Sequence, residues 1–183
     1  MRDTMDLCVG CKGCKRECPT GVDMARIKIE FLHQYHRVHP RTLGQKLVAY
    51  LPRYAPWASR LASLVNLRNR SPMLARLGEA LAGFSARRSL PEWRSDTFLR
   101  VHRARGASSG HEVVLFVDTF TNYFEPENAH AALRVLEAAG YAVTVARATD
   151  SSRPLCCGRT FLAAGMVERA REEARRMVAA LAP

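Results

Sequence analysis

A chain of 183 residues, 48% hydrophobic and 25% charged, holds enough apolar material for one modest core or two small joined units, in the proportions of a soluble globular protein. Its longest clean apolar run, Val113 to Val117, falls far short of the ~18 residues of a membrane span, and an N-terminus with Asp3, Asp6 and no apolar stretch does not read as a signal peptide. The net charge of +11 is concentrated: residues 1–40 carry seven basic and five acidic side chains, 41–106 thirteen and three, and 107–183 eight and nine. The middle segment reads as a solvated arginine-rich helix surface, with an acidic partner or an anionic membrane surface as the alternative. No zinc-finger or RNA-binding signature accompanies the charge, so no nucleic acid is expected. The expected compartment is the cytoplasm, where thiols stay reduced, with peripheral contact at the inner face of the membrane as an extension.

Three segments follow in chain order. Residues 1–40 hold a cysteine run and then a helix, with Asp23 as N-cap, Met24, Ile27, Phe31 and Tyr35 at helical spacing, and Pro40 beyond its end. Residues 41–106 predict short helices over about 42–51, from Pro56 through Leu67 with Trp57, Leu61, Leu64 and Val65 on one face, and after Ser71-Pro72 with Leu74, Leu77 and Leu81. Ser85 to Gly110 reads as a connector. Residues 107–183 predict a strand over His111 to Asp118, a loop over Thr119 to Phe124, a helix from Glu125-Pro126 to Gly140, and a second strand over Tyr141 to Ala146. Strand, helix, strand in that order implies a parallel βαβ unit. A turn-rich stretch, Asp150 to Pro154, leads to Leu155-Cys156-Cys157-Gly158 and one last helix with Leu162, Met166, Ala170, Met177 and Leu181 in register. The fold class is α+β or α/β: a ferredoxin-like helical segment over 1–40, a basic helical region and connector over 41–106, and an α/β unit over 107–183.

Cys8, Cys11, Cys14 and Cys18 are spaced C-x2-C-x2-C-x3-C and followed by Pro19. This is the bacterial ferredoxin run that ligates a [4Fe–4S] cluster through thiolates. Cysteines three residues apart on a tight loop can wrap one compact cluster, and Gly10 and Gly13 permit the sharp turns. Lys12, Lys15 and Arg16 favour thiolate over thiol and offset the cluster's negative charge. Four-cysteine zinc sites usually join two C-x2-C hooks across a longer spacer, which is missing here. In two-cluster ferredoxins the fourth cysteine serves the other cluster. Cys18 therefore either closes a single cluster, or works with ligands that lie in sequence outside this chain.

Cys156 and Cys157 carry a less specific signal. They read either as small buried hydrophobes or as reactive thiols placed where a turn meets a helix start and backbone N–H groups stabilise thiolate. Asp118, Thr119, Asn122 and Glu125 follow the first strand, where α/β units place functional groups, and are candidates to line a pocket shared with the pair. His33, His36 and His39 read as an exposed polar helix end, with metal binding as the alternative. No Gly-rich dinucleotide fingerprint or phosphate-cradling loop is legible, so no catalytic residue is assigned.

Leu7-Cys8 through Cys18-Pro19, Val22-Asp23-Met24 and Glu30-Phe31-Leu32 resemble the C-terminal iron–sulfur part of FAD-linked D-2-hydroxy-acid dehydrogenases of the D-lactate, glycolate and D-2-hydroxyglutarate type. Asp118 through Pro126 resembles the same family, and Cys156-Cys157-Gly158-Arg159 is similar to the start of the cysteine-rich CCG domain also found in heterodisulfide reductase. The order of the three motifs is the specific part. The resemblance implies a [4Fe–4S] cluster on Cys8, Cys11, Cys14 and Cys18, cofactor contact at Cys156 and Cys157, and FAD on a separate domain or subunit that oxidises a hydroxy acid. It implies electrons leaving one at a time toward an acceptor such as a quinone. The chain departs from that plan: it has no flavin domain, no cysteine run before Leu7, and no cysteine between Cys18 and Cys156. It is read as a fragment of the larger plan, an oxidoreductase component that is not catalytic alone. The alternatives are a non-enzymatic interaction domain stabilised by a cluster or by zinc, and thiol redox chemistry at Cys156 and Cys157.

Overall fold

Capping side chains set several of the helix starts. The computed structural model describes residues 2–102, 111–150 and 153–181. Helices α1 (Arg2–Asp6) and α2 (Gly13–Glu17) flank the first cysteines, and α3 (Met24–Val38) starts at Asp23, whose carboxylate accepts the Arg26 N–H at 3.0 Å. Helix α4 (Leu43–Ala49) opens on a reciprocal capping box between Thr42 and Gln45. Helices α5 (Leu51–Arg60), α6 (Ala62–Val65) and α7 (Leu67–Arg70) follow, then α8 (Pro72–Ala82) from the Ser71 cap with proline at its first position, as the sequence predicts.

After α9 (Phe98–Val101) come β1 (His111–Leu115), α10 (Thr119–Tyr123), α11 (Pro126–Ala138) and β2 (Tyr141–Val145). The two strands pair in parallel, with His111 opposite Tyr141 and Leu115 opposite Val145. The predicted βαβ unit is present. Helices α12 (Arg159–Ala163) and α13 (Val167–Leu181) complete a mostly helical α+β chain.

Three expectations need correction. Thr119 to Tyr123 is helix, not loop, because the Asp118 carboxylate caps it, accepting from Phe120 N at 2.7 Å and Thr121 N at 3.1 Å. The last predicted helix is two helices. Gly165 turns the chain between them at φ +70°, where a Cβ would sit 2.6 Å from His33 N, so both the turn and the close approach of α3 require glycine.

The third concerns which faces are buried. Trp57 is 66% exposed and Leu61 57%, and Leu64, Leu77 and Leu81 are exposed as well. The buried line of α5 and α6 is instead Pro52, Ala55, Ser59 and Ala62. The cause is polar: Ser59 Oγ donates to the Arg94 carbonyl at 2.7 Å, which turns the small residues inward. On α3 the buried residues are likewise Ala25 and Leu32, with Ile27 exposed.

Within the predicted connector, residues 103–110 lie outside the described residues. The earlier part is held by two asparagines that pair with it as a strand would. Asn69 exchanges two hydrogen bonds with the Leu90 backbone at 2.7 and 2.9 Å, and Asn66 two with Trp93, both 2.9 Å. Phe98 then enters a core with Val117, Ala129 and Leu133. A second core joins Ala49 to Phe161 and Ala170, with Tyr50 edge-on to Phe161 at 5.2 Å.

Beside that second core, Glu173 on α13 is fully buried. Arg153 grips it with two bonds of 2.7 and 2.8 Å, Arg53 of α5 reaches it at 2.9 Å and Arg176 at 3.2 Å. A buried carboxylate is tolerable when its lone pairs are all answered by cations. Removing it takes from Arg153 the carboxylate that it grips, while Arg176 keeps Asp150 at 2.8 Å and Arg53 keeps Glu172 at 3.8 Å. Glu173→Ala is expected to destabilise the chain by about 3–5 kcal/mol, read from the urea midpoint, whereas a loss under about 1 kcal/mol would show that the cluster holds little together.

Candidate functional site

The cysteine run is shaped by two left-handed residues. Gly10 has φ +70° and Lys12 φ +62°. The sequence assigned the second sharp turn to Gly13, but Lys12 takes it, a conformation uncommon outside glycine. Cys8 follows α1 and its N–H bonds the Met5 carbonyl at 3.1 Å. Cys11 lies exposed on the loop, Cys14 sits in the first turn of α2, and Cys18 caps the end of α2.

Donors already point at two of these sulfurs. Met24 N–H donates to Cys14 Sγ at 3.3 Å. Cys18 Sγ lies 3.1 Å from the Thr20 hydroxyl. That hydroxyl, then the N–H groups of Val22 and Thr20, hold the Cys18 thiol below its usual range, which favours thiolate. Cations fasten the loop's backbone: Lys28 Nζ donates to the Cys8 carbonyl at 2.7 Å and Arg159 to the Gly10 carbonyl at 3.4 Å. Lys12 is turned to Asp23 at 3.5 Å. The Arg26 N–H chiefly, and Lys12 secondarily, keep the Asp23 carboxyl low, against the effect of burial.

The cysteine pair is unequal. Cys156 is 3% exposed, whereas Cys157 faces solvent. Gly158 follows at φ +77°, and a Cβ there would lie 2.7 Å from the Ala170 carbonyl, so only glycine lets α12 start this close to α13. The Cys156 thiol donates toward Cys157, and this above all lowers Cys157 to about 6; the Arg159 N–H helps and the Asp118 carboxylate opposes it. Cys156 is pushed up by the same contact and by burial. The Gly158 N–H reaches Cys156 Sγ at 3.3 Å, and the Thr119 side chain touches it too.

Of the loop residues proposed to join the pair, Asp118 and Thr119 do so. Asn122 and Glu125 do not. Asn122 is buried and accepts the Leu99 N–H at 2.9 Å, and Glu125 is exposed and bonded to Asn128 at 2.7 Å. The histidines serve the backbone: His33 meets the Gly165 carbonyl at 3.1 Å, His36 that of His39 at 3.0 Å and His39 that of Tyr35 at 3.1 Å. His33 is half-buried rather than exposed, because it ties α3 to the turn before α13.

Sequence reasoning missed what joins the two cysteine sites. A cavity of about 630 Å³ has Lys28 and Arg159 in its wall, together with Asp6, His36, Phe120 and Thr160. Arg159 spans from the cysteine pair to the cysteine run, a contact across most of the chain that no local pattern announces. Burial holds the His36 imidazole below its usual range.

Among the described residues no three His, Cys, Asp or Glu side chains converge as a metal-ligand set. The donor chemistry of the N-terminal run nevertheless fits a thiolate-bound cluster. It offers four free cysteines within one short stretch of chain, N–H and O–H donors on two sulfurs, and cations on the backbone. Metal sites commonly close only as metal binds.

No protein-family model matches the chain, and no solved structure matches it. Curated relatives do. The chain is 25% identical to D-2-hydroxyglutarate dehydrogenase of Escherichia coli over 77% of its own length and 15% of that protein. It is 25% identical to the Pseudomonas putida protein of the same name over 84% of its length and 16% of that protein. A third relative is one of the subunits of the anaerobic glycerol-3-phosphate dehydrogenase of Escherichia coli, with 29% identity over 62% of this chain and 28% of that protein. Its relatives are dehydrogenases and a component of one, and it spans about 15% of the length of the first two. Among the described residues no helix is long and apolar enough to cross a membrane.

The inequality of the pair is testable in metal-free protein. Iodoacetamide should label Cys157 at a rate half-maximal near pH 6, and Cys156→Ala should move that midpoint up toward the ordinary thiol range. Equal labelling of both cysteines, or a midpoint unmoved by Cys156→Ala, would contradict the hydrogen bond between them.

Proposed function

We propose that the chain is an electron-relay module of a dehydrogenase. Cys8, Cys11, Cys14 and Cys18 hold a [4Fe–4S] cluster that accepts electrons from an FAD-bearing D-2-hydroxy-acid dehydrogenase domain or subunit. The electrons pass on to an acceptor such as a quinone. The cluster supplies one-electron storage. The chain's own residues shape the loop, donate hydrogen bonds to sulfur, and lower the energy of a reduced, more negative site through nearby cations. The observation that carries this reading is the four free cysteines in ferredoxin spacing, with Met24 N–H on Cys14 and the Thr20 hydroxyl on Cys18. The dehydrogenase names of the relatives support it. On this reading the module works in the cytoplasm, where thiols stay reduced, and touches a membrane only peripherally. Cys156 and Cys157 serve as a second cofactor contact, tied to the N-terminal loop through the neighbouring Arg159.

One observation favours a second reading, an interaction domain stabilised by a cluster or by zinc. Leu61, Leu64, Leu77 and Leu81 leave apolar surface exposed on the middle helices.

Potentiometric titration followed by electron paramagnetic resonance separates the two. Anaerobically reconstituted protein should give a reversible one-electron signal that Cys8→Ser, Cys11→Ser or Cys14→Ser abolishes. Loss of the same signal in Cys18→Ser means that Cys18 closes this cluster. A colourless, folded protein with no reducible signal, still able to bind a dehydrogenase partner, rejects the relay and leaves the interaction domain.

A further inference from the structure

A second cavity, of about 770 Å³, opens at the C-terminal edge of the parallel strands. Ala146 and Arg147 pass directly from β2 into its wall, and Tyr123, at the end of α10, forms another part of it. In βα units this is the edge at which ligands bind. The volume suits a metabolite-sized ligand rather than a lone inorganic ion.

Its charge is one-sided. Arg53, Arg60, Arg100, Arg147 and Arg153 line it, and among the described residues no Asp or Glu does. Two of the five are spent, since Arg53 and Arg153 hold Glu173 at 2.9 and 2.7 Å. The other three are not neutralised. Arg100 donates to the Ser95 carbonyl at 3.3 Å, Arg147 to the carbonyls of Leu99 and His102 at 3.4 and 3.5 Å, and Arg60 lies 4.9 Å from the centre of the Trp57 ring. Among the described residues none of the three pairs with a carboxylate. Long bonds to carbonyls leave most of each guanidinium fork available for an oxyanion.

A solvated basic helix does not account for this grouping. Arg60 lies on α5 and Arg100 on α9, but Arg147 follows β2, in a segment without basic surplus. Three elements distant in sequence bring like charges to one concavity, which repel until a counter-charge enters. The rest of the wall mixes uncharged polar side chains, Ser59, Thr97 and Asn122, with apolar ones that include Trp57 and Leu155. Burial pushes the Tyr123 phenol up to about 12, so it stays protonated at neutral pH and is a donor for an anion.

We propose that this cavity is a binding site for a small organic polyanion. The ligand carries two or more negative charges as phosphate or carboxylate, held on Arg60, Arg100 and Arg147, with its apolar part against Trp57 and Leu155. The site stands independently of the cluster, and its occupancy does not require one.

Isothermal titration of the full 183-residue chain, with and without reconstituted cluster, tests this, using ADP as the phosphate probe and citrate as the carboxylate probe. Either probe should bind one to one, more weakly as salt rises. Tighter binding of ADP assigns phosphate, and tighter binding of citrate assigns carboxylate. Arg100→Gln and Arg147→Gln should each weaken binding about tenfold, while Arg134→Gln, an exposed α11 position outside the lining, leaves it unchanged. Backbone NMR shifts at Tyr123 and Ala146 provide a readout that needs no variant. Failure of both probes to bind at millimolar concentration would overturn the proposal. So would binding that persists undiminished in the Arg100→Gln/Arg147→Gln double variant. Binding in cluster-free protein is unaffected by the fate of the relay reading, so the two fail separately.

Discussion

Glu173 and the three arginines around it set the position of the cysteine pair. Arg153 lies three residues before Cys156 and is fixed to α13 by two bonds to the buried carboxylate. Arg53 brings α5 to the same point. With the chain anchored there, Gly158 lies against Ala170, Phe161 reaches Ala49, and Arg159 is carried to the Gly10 carbonyl. Charge burial in the interior thus reaches the N-terminal cysteine loop through a chain of backbone constraints. The cost of removing one partner from such a cluster exceeds what a surface ion pair contributes, because Glu173 is fully buried and its charge is met only inside the fold.

Much of the helical outline was legible because it rests on local chemistry. Asp23, Thr42 and Ser71 cap helices where a cap precedes an apolar period, and the βαβ order followed from two β-rich runs around one amphipathic helix. What was not legible depends on distant contacts. The small faces of α5 and α6 are buried because Ser59 finds the Arg94 carbonyl, a partner that periodicity cannot foresee. Gly165 breaks the last helix because α3 passes too closely for a side chain. The Asp118 cap was visible as a residue, but its loop-like neighbours Thr119 and Asn122 hid the short helix that it starts. For the candidate site, spacing identified the four N-terminal cysteines and the pair, while Lys28, Arg159 and the cavity that both line emerge only from the fold.

The basic surplus of the middle segment divides by role. Arg53 answers Glu173, and Arg68 bonds the carbonyls of Phe84 and Ser85, both at 3.0 Å. Arg41 bonds the Ala164 carbonyl at 3.2 Å. These cations replace packing that a larger apolar core would provide. Arg60 and Arg100 do something else, gathering with Arg147 at one cavity. A charge count alone cannot separate arginines that hold the fold from arginines that await an anion.

The relay account rests on iron and sulfide held by thiolates at the N-terminal loop. Mössbauer spectroscopy of protein reconstituted with ⁵⁷Fe and sulfide under argon reads this directly. The account predicts about four irons per chain, each in a tetrahedral sulfur environment with delocalised mixed valence. Iron in an oxygen- or nitrogen-rich environment, or a folded protein that takes up zinc and leaves the iron in solution, would contradict it.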